Sequence, residues 1–206
     1  MTRKRRRRSG GNALVEFGLC ATFLIPLYLW MVIMGLDLKR VMQTNQVSRD
    51  AGHMYARWVD FSKPGNQDLL VRLASGLGLT RTGGKGVVIL SKMMKIGTQQ
   101  CADGGVSLAQ CANLNQTVFV QRIVIGNKLL AASKYGTPSD SILNADGTID
   151  AVDYLKNASA ISANFGTTLA LSDGEVAYLS EAWFESPVQD FPTLNNRGPV
   201  YARSIY

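Results

Sequence analysis

The chain has 206 residues, 46% of them hydrophobic and 18% charged, with a formal charge of +7. Beyond any targeting segment this is one domain's worth of chain, and past residue 11 it holds no low-complexity tract of the kind that stays disordered. The charge does not mark a nucleic-acid binder: Arg3, Lys4, Arg5, Arg6, Arg7 and Arg8 stand in one run, and without these six the formal charge is +1.

An arginine-rich arm for RNA or DNA is the competing reading of that run. The residues after it argue otherwise. Ser9, Gly10 and Gly11 come next, then one acid, Glu16, and an aromatic, Phe17. Residues 17–36 carry no charged side chain. About 20 such residues, each rising about 1.5 Å, span roughly 30 Å, the thickness of a bilayer core. A secretory signal has a shorter apolar stretch with its small-residue cleavage site behind it. Here the small residues precede the run, so a cut there leaves the helix attached. Cys20 does not fit a lipoprotein cysteine, because Leu19 stands where a small residue is required. Six cations before the span outweigh Lys39 and Arg40 after it, which predicts a cytoplasmic N-terminus and an exported remainder.

Glu16 has two readings. It can sit at the headgroup level near the start of the helix, where the helix dipole favours an anion. Alternatively, a cut behind Gly11 frees an α-amine on Asn12, about one turn from Glu16 or on a neighbouring subunit. Pairing of the two in low dielectric would set the axial register between helices. The second reading explains why the glycine and the glutamate occur together, since an unpaired ionisable group in a spanning helix is costly.

Gly11-Asn12-Ala13-Leu14-Val15-Glu16-Phe17, with the apolar helix and Pro26, resembles the TadE-like proteins, the TadE and TadF pseudopilins of the tight-adherence (Flp) pilus system. The resemblance covers about the first 40 residues. It implies processing by a prepilin peptidase after Gly11, with Gly11, Asn12, Glu16 and Phe17 as the processing segment. It also implies a role as a minor, non-catalytic pilus component in the bacterial inner membrane. The partners implied are membrane lipid, the peptidase, other pilins or pseudopilins and the assembly machinery. Residues 1–11 are then a basic prepilin-type leader, 12–36 a transmembrane helix, 37–60 a membrane-proximal amphipathic helix and 61–206 an exported α+β domain. The runner-up is a single-pass periplasmic binding or sensor module that keeps its basic tail; a membrane-tethered enzyme ranks third.

Beyond the span, Val41, Val47, Ala51, Met54, Tyr55 and Trp58 recur near helical spacing, with polar residues between them. This predicts one helix from residue 12 to about 60, ended by Pro64-Gly65, with Pro26 inside it. The apolar stripe requires cover, from the chain's own sheet or from a partner helix. Further helices are expected at 66–79 and 151–163, and strands at 87–90, 118–125, 176–184 and 200–206. The fold class is α+β: a long helix packed on a small antiparallel sheet, loosely similar to type IV pilins.

Cys101 and Cys111 lie in a loop between the first two strands, on the exported side, where disulfides persist. Two unpaired thiols are the alternative. Zinc is a weaker reading, since two cysteines and a distant His53 do not complete a site. Asn144, Asp146, Asp150 and Asp153 place oxygen ligands as in a calcium loop, but Ile142 falls where the first ligand belongs. An Asp-Gly turn followed by a helix capped at Asp150 is the preferred reading. Thr82-Gly83-Gly84-Lys85-Gly86 lacks the spacing and the Ser or Thr of a phosphate loop. The carboxylate pairs Asp150/Asp153 and Glu181/Glu185 carry no cleft signature. No catalytic residue, cofactor, resident metal, nucleic acid or small-molecule substrate is expected.

Overall fold

The structure, a computed structural model, describes residues 12–186 and 198–206. Residues 1–11, the expected basic leader with Gly11 at its end, lie outside the described residues. The chain divides into two compact units between Lys39 and Arg40.

Helix α1 runs Asn12–Ala56, 45 residues, and contains Pro26. In the first unit its apolar side chains have no cover: Leu14, Phe23 and Trp30 are among those exposed. This segment is long and apolar enough to cross a membrane. Thr22 Oγ1 donates to the Gly18 carbonyl at 2.8 Å, a bond within one turn that keeps a hydroxyl satisfied without water.

The second unit is an α+β domain. Four strands, β1 (Gly86–Lys95), β2 (Thr117–Gly126), β3 (Val176–Phe184) and β4 (Val200–Ile205), form one antiparallel sheet in the order β2-β1-β3-β4. β1 is central, and Val87, Val88, Ile89 and Leu90 are all buried, because both faces of the sheet are covered. In the registers Val88↔Ala182 and Ile89↔Glu181, Val88, Leu90, Ala182 and Phe184 share one face, while Val87, Ile89, Glu181 and Trp183 share the other.

The outer part of α1 covers the first face. Thr44, Val47, Ser48, Ala51 and Tyr55 are buried there at three- and four-residue spacing. Val47, Ala51 and Tyr55 share a core with Val88, Leu90, Ala182 and Phe184. The approach is close because the residues in contact are small. Ser48 Oγ donates to the Ser180 carbonyl at 3.1 Å, and Ser204 Oγ donates to the Ser48 carbonyl at 2.8 Å. A Cβ on Gly52 would lie 2.8 Å from Ser204 Oγ and 3.1 Å from Ser180 Cβ. The domain's own sheet therefore covers the amphipathic stripe.

Beyond α1 come α2 (Pro64–Leu73), α3 (Thr98–Asp103), α4 (Ala151–Lys156) and α5 (Phe165–Thr168). Several expected boundaries move. α1 stops at Ala56 rather than near 60, since Trp58 adopts φ 68°, outside the helical region. The Trp58 N–H bonds the Tyr55 carbonyl and the Val59 N–H bonds the Met54 carbonyl, both at 3.1 Å. That pair of bonds is a Schellman stop, built on a tryptophan where glycine is usual. Trp58 is consequently 80% exposed, not part of the buried stripe, and Val41 is exposed as well. The 66–79 helix is split into α2 and a 3-10 turn, Ser75–Leu77. The 151–163 helix ends at Lys156 and is followed by a 3-10 turn, Ala158–Ala160. β1 extends five residues past Leu90, to Lys95. The glycine-rich stretch before it forms a tight turn, with the Lys85 N–H on the Gly78 carbonyl at 2.9 Å and Gly84 at φ 85°.

The helix–sheet contact yields a test. Gly52→Ala gains about 1 kcal/mol of helix propensity but overpacks the contact, at a cost of typically 1–3 kcal/mol. Chemical denaturation of the detergent-solubilised chain should show a net loss, smaller than additive when Ser204→Ala is combined with it. A gain in stability would show that the contact is loose.

Candidate functional site

The segment expected to be processed is met first along the chain. Asn12 opens α1 and Glu16 follows four residues later, just past the first turn. The i, i+4 spacing puts the two on one side of the helix, about 6 Å apart along its axis. Phe17 is exposed at 74%. Gly11 lies outside the described residues, so the glycine of the motif is known from sequence alone.

Cys101 and Cys111 are joined in a disulfide with Cα atoms 6.0 Å apart. α3 presents Cys101, and a 3-10 turn, Leu108–Gln110, delivers Cys111. Gly97 N–H donates to Gln100 Oε1 at 3.0 Å and so holds the start of α3. Both cysteines are buried in a core with Phe119, Leu155 and Phe165.

The Asn144–Asp153 stretch is a turn. Gly147, at φ 78°, donates its N–H to the Asn144 carbonyl at 2.9 Å, and Leu143 bridges Ile149. Asp146 Oδ1 accepts from the Thr148 N–H at 3.0 Å and from its hydroxyl at 2.6 Å, which holds the carboxyl below its ordinary range. Asn144 turns an amide N–H toward Asp150 Oδ1 at 2.9 Å. Asp150 stands at the N-cap of α4, with its backbone carbonyl taking the Asp153 and Tyr154 N–H groups. Among the described residues no group of three His, Cys, Asp or Glu is placed to hold a metal. His53 is exposed, its ring 5.8 Å from that of Tyr206.

The charged residues with unusual surroundings lie elsewhere, on the sheet face opposite α1. Glu181 is fully buried in the middle of β3. Its carboxylate accepts from Ser133 Oγ, from the Lys134 N–H at 3.1 Å and from the Tyr201 hydroxyl at 3.0 Å. These bonds tie the segment after β2 down onto β3 and β4. Burial pushes the Glu181 carboxyl up, even though the three donors and the Arg122 charge act the other way. Burial and the Glu181 charge likewise push the Tyr201 phenol up.

Arg122, at the centre of β2, is 8% exposed. Among the described residues its side chain makes one hydrogen bond, from Nη1 to the Gly136 carbonyl at 3.3 Å. Burial pulls its pKa down, against the attraction of Glu181 and Asp140. Arg122 lines a cleft of about 540 Å³ together with Ile89, Val124, Lys128, Thr137 and Asp140.

The sequence does not single out Arg122, and it offers Glu181 only as half of a pair with Glu185 that carries no cleft signature. The available signal was a single charged residue near the centre of each of two otherwise uncharged strands. Comparison with protein-family models, curated proteins and solved structures finds no match.

Two outcomes are expected. Closing a loop of about ten residues stabilises by roughly 3 kcal/mol, so Cys111→Ser should lose about that much in denaturation, and nonreducing peptide mapping should recover one linked fragment. Complete thiol labelling of the native protein would show the pair to be open. For Glu181, the folded-state pKa lies above the unfolded one. Between those two values the folded chain keeps a proton that the unfolded chain releases. Stability therefore falls as pH rises through that window, at up to about 1.4 kcal/mol per pH unit. Glu181→Gln should flatten this part of the pH–stability profile; an unchanged slope would exclude the carboxyl as its source.

Proposed function

We propose that the chain is a TadE/TadF-like pseudopilin, a membrane-anchored and non-catalytic component of a tight-adherence pilus. The observation that carries the reading is Gly11 followed at fixed spacing by Glu16 and Phe17, with Asn12 and Glu16 one turn apart at the start of a 45-residue helix. The uncovered apolar surface of residues 13–36 supports a membrane span. The charge bias of Arg3 to Arg8 supports a cytoplasmic N-terminus. The Cys101–Cys111 disulfide supports an exported, oxidising location for the second unit. A helix supplying the cover for a four-stranded antiparallel sheet agrees with a pilin-like plan.

The mechanism rests on charge. A prepilin peptidase cuts behind Gly11 on the cytoplasmic side and removes the basic leader. The cut leaves a cationic amine on Asn12 beside a membrane. Glu16 of the neighbouring helix neutralises it, and the pair sets how far one subunit rises against the next. Membrane lipid, the peptidase and other pilins or pseudopilins are the partners this requires.

One observation favours the second reading, a single-pass periplasmic binding module: the cleft beside Arg122. Processing separates the two. With the matching peptidase present, intact-mass analysis should give a mature species starting at Asn12, and Gly11→Lys should block its formation. A wild-type chain that keeps Met1 under those conditions would remove the pseudopilin reading. Glu16→Gln should be processed and inserted normally while surface pili, counted by electron microscopy, fall sharply. Wild-type pilus numbers would strip Glu16 of its register role and leave leader cleavage unaffected.

A further inference from the structure

We propose that the cleft beside β2 binds a carboxylate group, and that Arg122 is the residue that receives it. A buried guanidinium requires an anion, because the cost of removing it from water is met only by a close, well-bonded partner. Arg122 is 8% exposed, yet among the described residues no carboxylate lies within ion-pairing distance of it. Its side chain offers five N–H donors. Among the described residues one of these is used, on the Gly136 carbonyl.

Neither nearby acid fills the gap. Glu181 is committed to Ser133, the Lys134 N–H and Tyr201. Asp140 is exposed and makes no ion pair with Arg122. What adjoins Arg122 instead is the cleft of about 540 Å³, within the ordinary range for ligand sites. Ile89 and Val124 give it an apolar wall, and Lys128 adds a second cation with an exposed side chain.

The lining selects among anions. Asp140 and Asp146 also border the cleft, so a phosphate dianion meets two like charges. A singly charged carboxylate with an apolar neighbour fits better: it pairs in a planar fork with the guanidinium while its hydrocarbon part rests on Ile89 and Val124. Such a group can come from a polypeptide or from a free organic acid.

The test uses the full chain in detergent and isothermal titration with three probes: acetyl-Ala-Ala-Leu with a free carboxylate, the same peptide as its amide, and isovalerate. The free-acid peptide should bind about ten- to a hundredfold more tightly than the amide, the discrimination expected of a charge-assisted pair. Arg122→Met should abolish that difference. It should also raise the melting temperature, since an unpaired buried charge has been replaced by an apolar side chain. Isovalerate binding as tightly as the peptide acid would identify a small organic acid as the source; much weaker binding would identify a polypeptide. Equal binding of acid and amide, no binding of any probe at millimolar concentration, or wild-type binding by Arg122→Met would each overturn the proposal. A lower melting temperature for Arg122→Met would also overturn it, because it would make the guanidinium a structural support. If Arg122→Met does not fold, the Arg122 Nε resonance of the wild-type chain decides: it should shift with the acid probe and not with the amide, and no shift overturns the proposal.

Discussion

The second unit depends on how closely α1 can lie against its sheet. The helix meets Ser180 and Ser204 through hydrogen bonds at Ser48 and, at Gly52, with no room for another carbon. Size matters more than polarity here, since the Ser180 hydroxyl is buried without a hydrogen-bond partner among the described residues while its carbonyl is used. Small residues at the centre of the contact let Val47 and Tyr55, on either side, reach the apolar core of β1 and β3. A glycine inside a helix costs about 1 kcal/mol relative to alanine, which is less than the cost of forcing the helix away from the sheet. Arg40 adds an anchor by donating to the Glu185 and Leu77 carbonyls at 3.0 and 3.4 Å.

With one face closed by a helix, the other must be closed by loops, and loops bring backbone polar groups that need partners. Glu181 meets that need by taking the Lys134 N–H and two hydroxyls in one carboxylate. The two faces of the sheet thus differ in kind. The α1 face packs mainly apolar side chains around a few serines. The opposite face holds an apolar cluster of Val87, Ile89 and Trp183 beside buried charge. The cleft with ionisable lining lies on this second face, between β2 and the loops that cover it.

Much of this was legible in the residues. Runs of β-branched and aromatic side chains marked all four strands, and residues 176–184 match β3 at both ends, because Asp173-Gly174 turns the chain just before it. The far half of β1 was not legible: Ser91, Lys92, Met93 and Met94 have weak strand preference, and pairing on both sides holds them extended. α3 was hidden in a Gln- and Gly-rich stretch that reads as loop. Trp58 continued the helical period in sequence, but its left-handed backbone takes it out of the helix. Of the candidate sites, the disulfide and the Asp146-Gly147 turn follow from local chemistry. Arg122 and Glu181 depend on which strands become neighbours, and a strand order of β2-β1-β3-β4 is not written in any one segment.

In the proposed assembly, the same reasoning about charge explains why the register device would sit at the membrane end rather than on the exported domain. Two unit charges about 4 Å apart attract by roughly 1 kcal/mol in water and about 4 kcal/mol at an effective dielectric of 20. Surface pairs such as Lys63–Asp60, 3.7 Å apart and largely exposed, belong to the first case and contribute little. An Asn12 amine facing Glu16 of a neighbour belongs nearer the second. Lipid around residues 17–36 would offer no competing water, so one such pair could decide between axial positions that apolar side chains alone would leave nearly equal in energy. A contact that strong has to be kept from forming early. An uncut leader does this in the simplest way, because Asn12 then carries an amide nitrogen and no charge. On this proposal, cleavage behind Gly11 would create the cation and permit assembly in one chemical step.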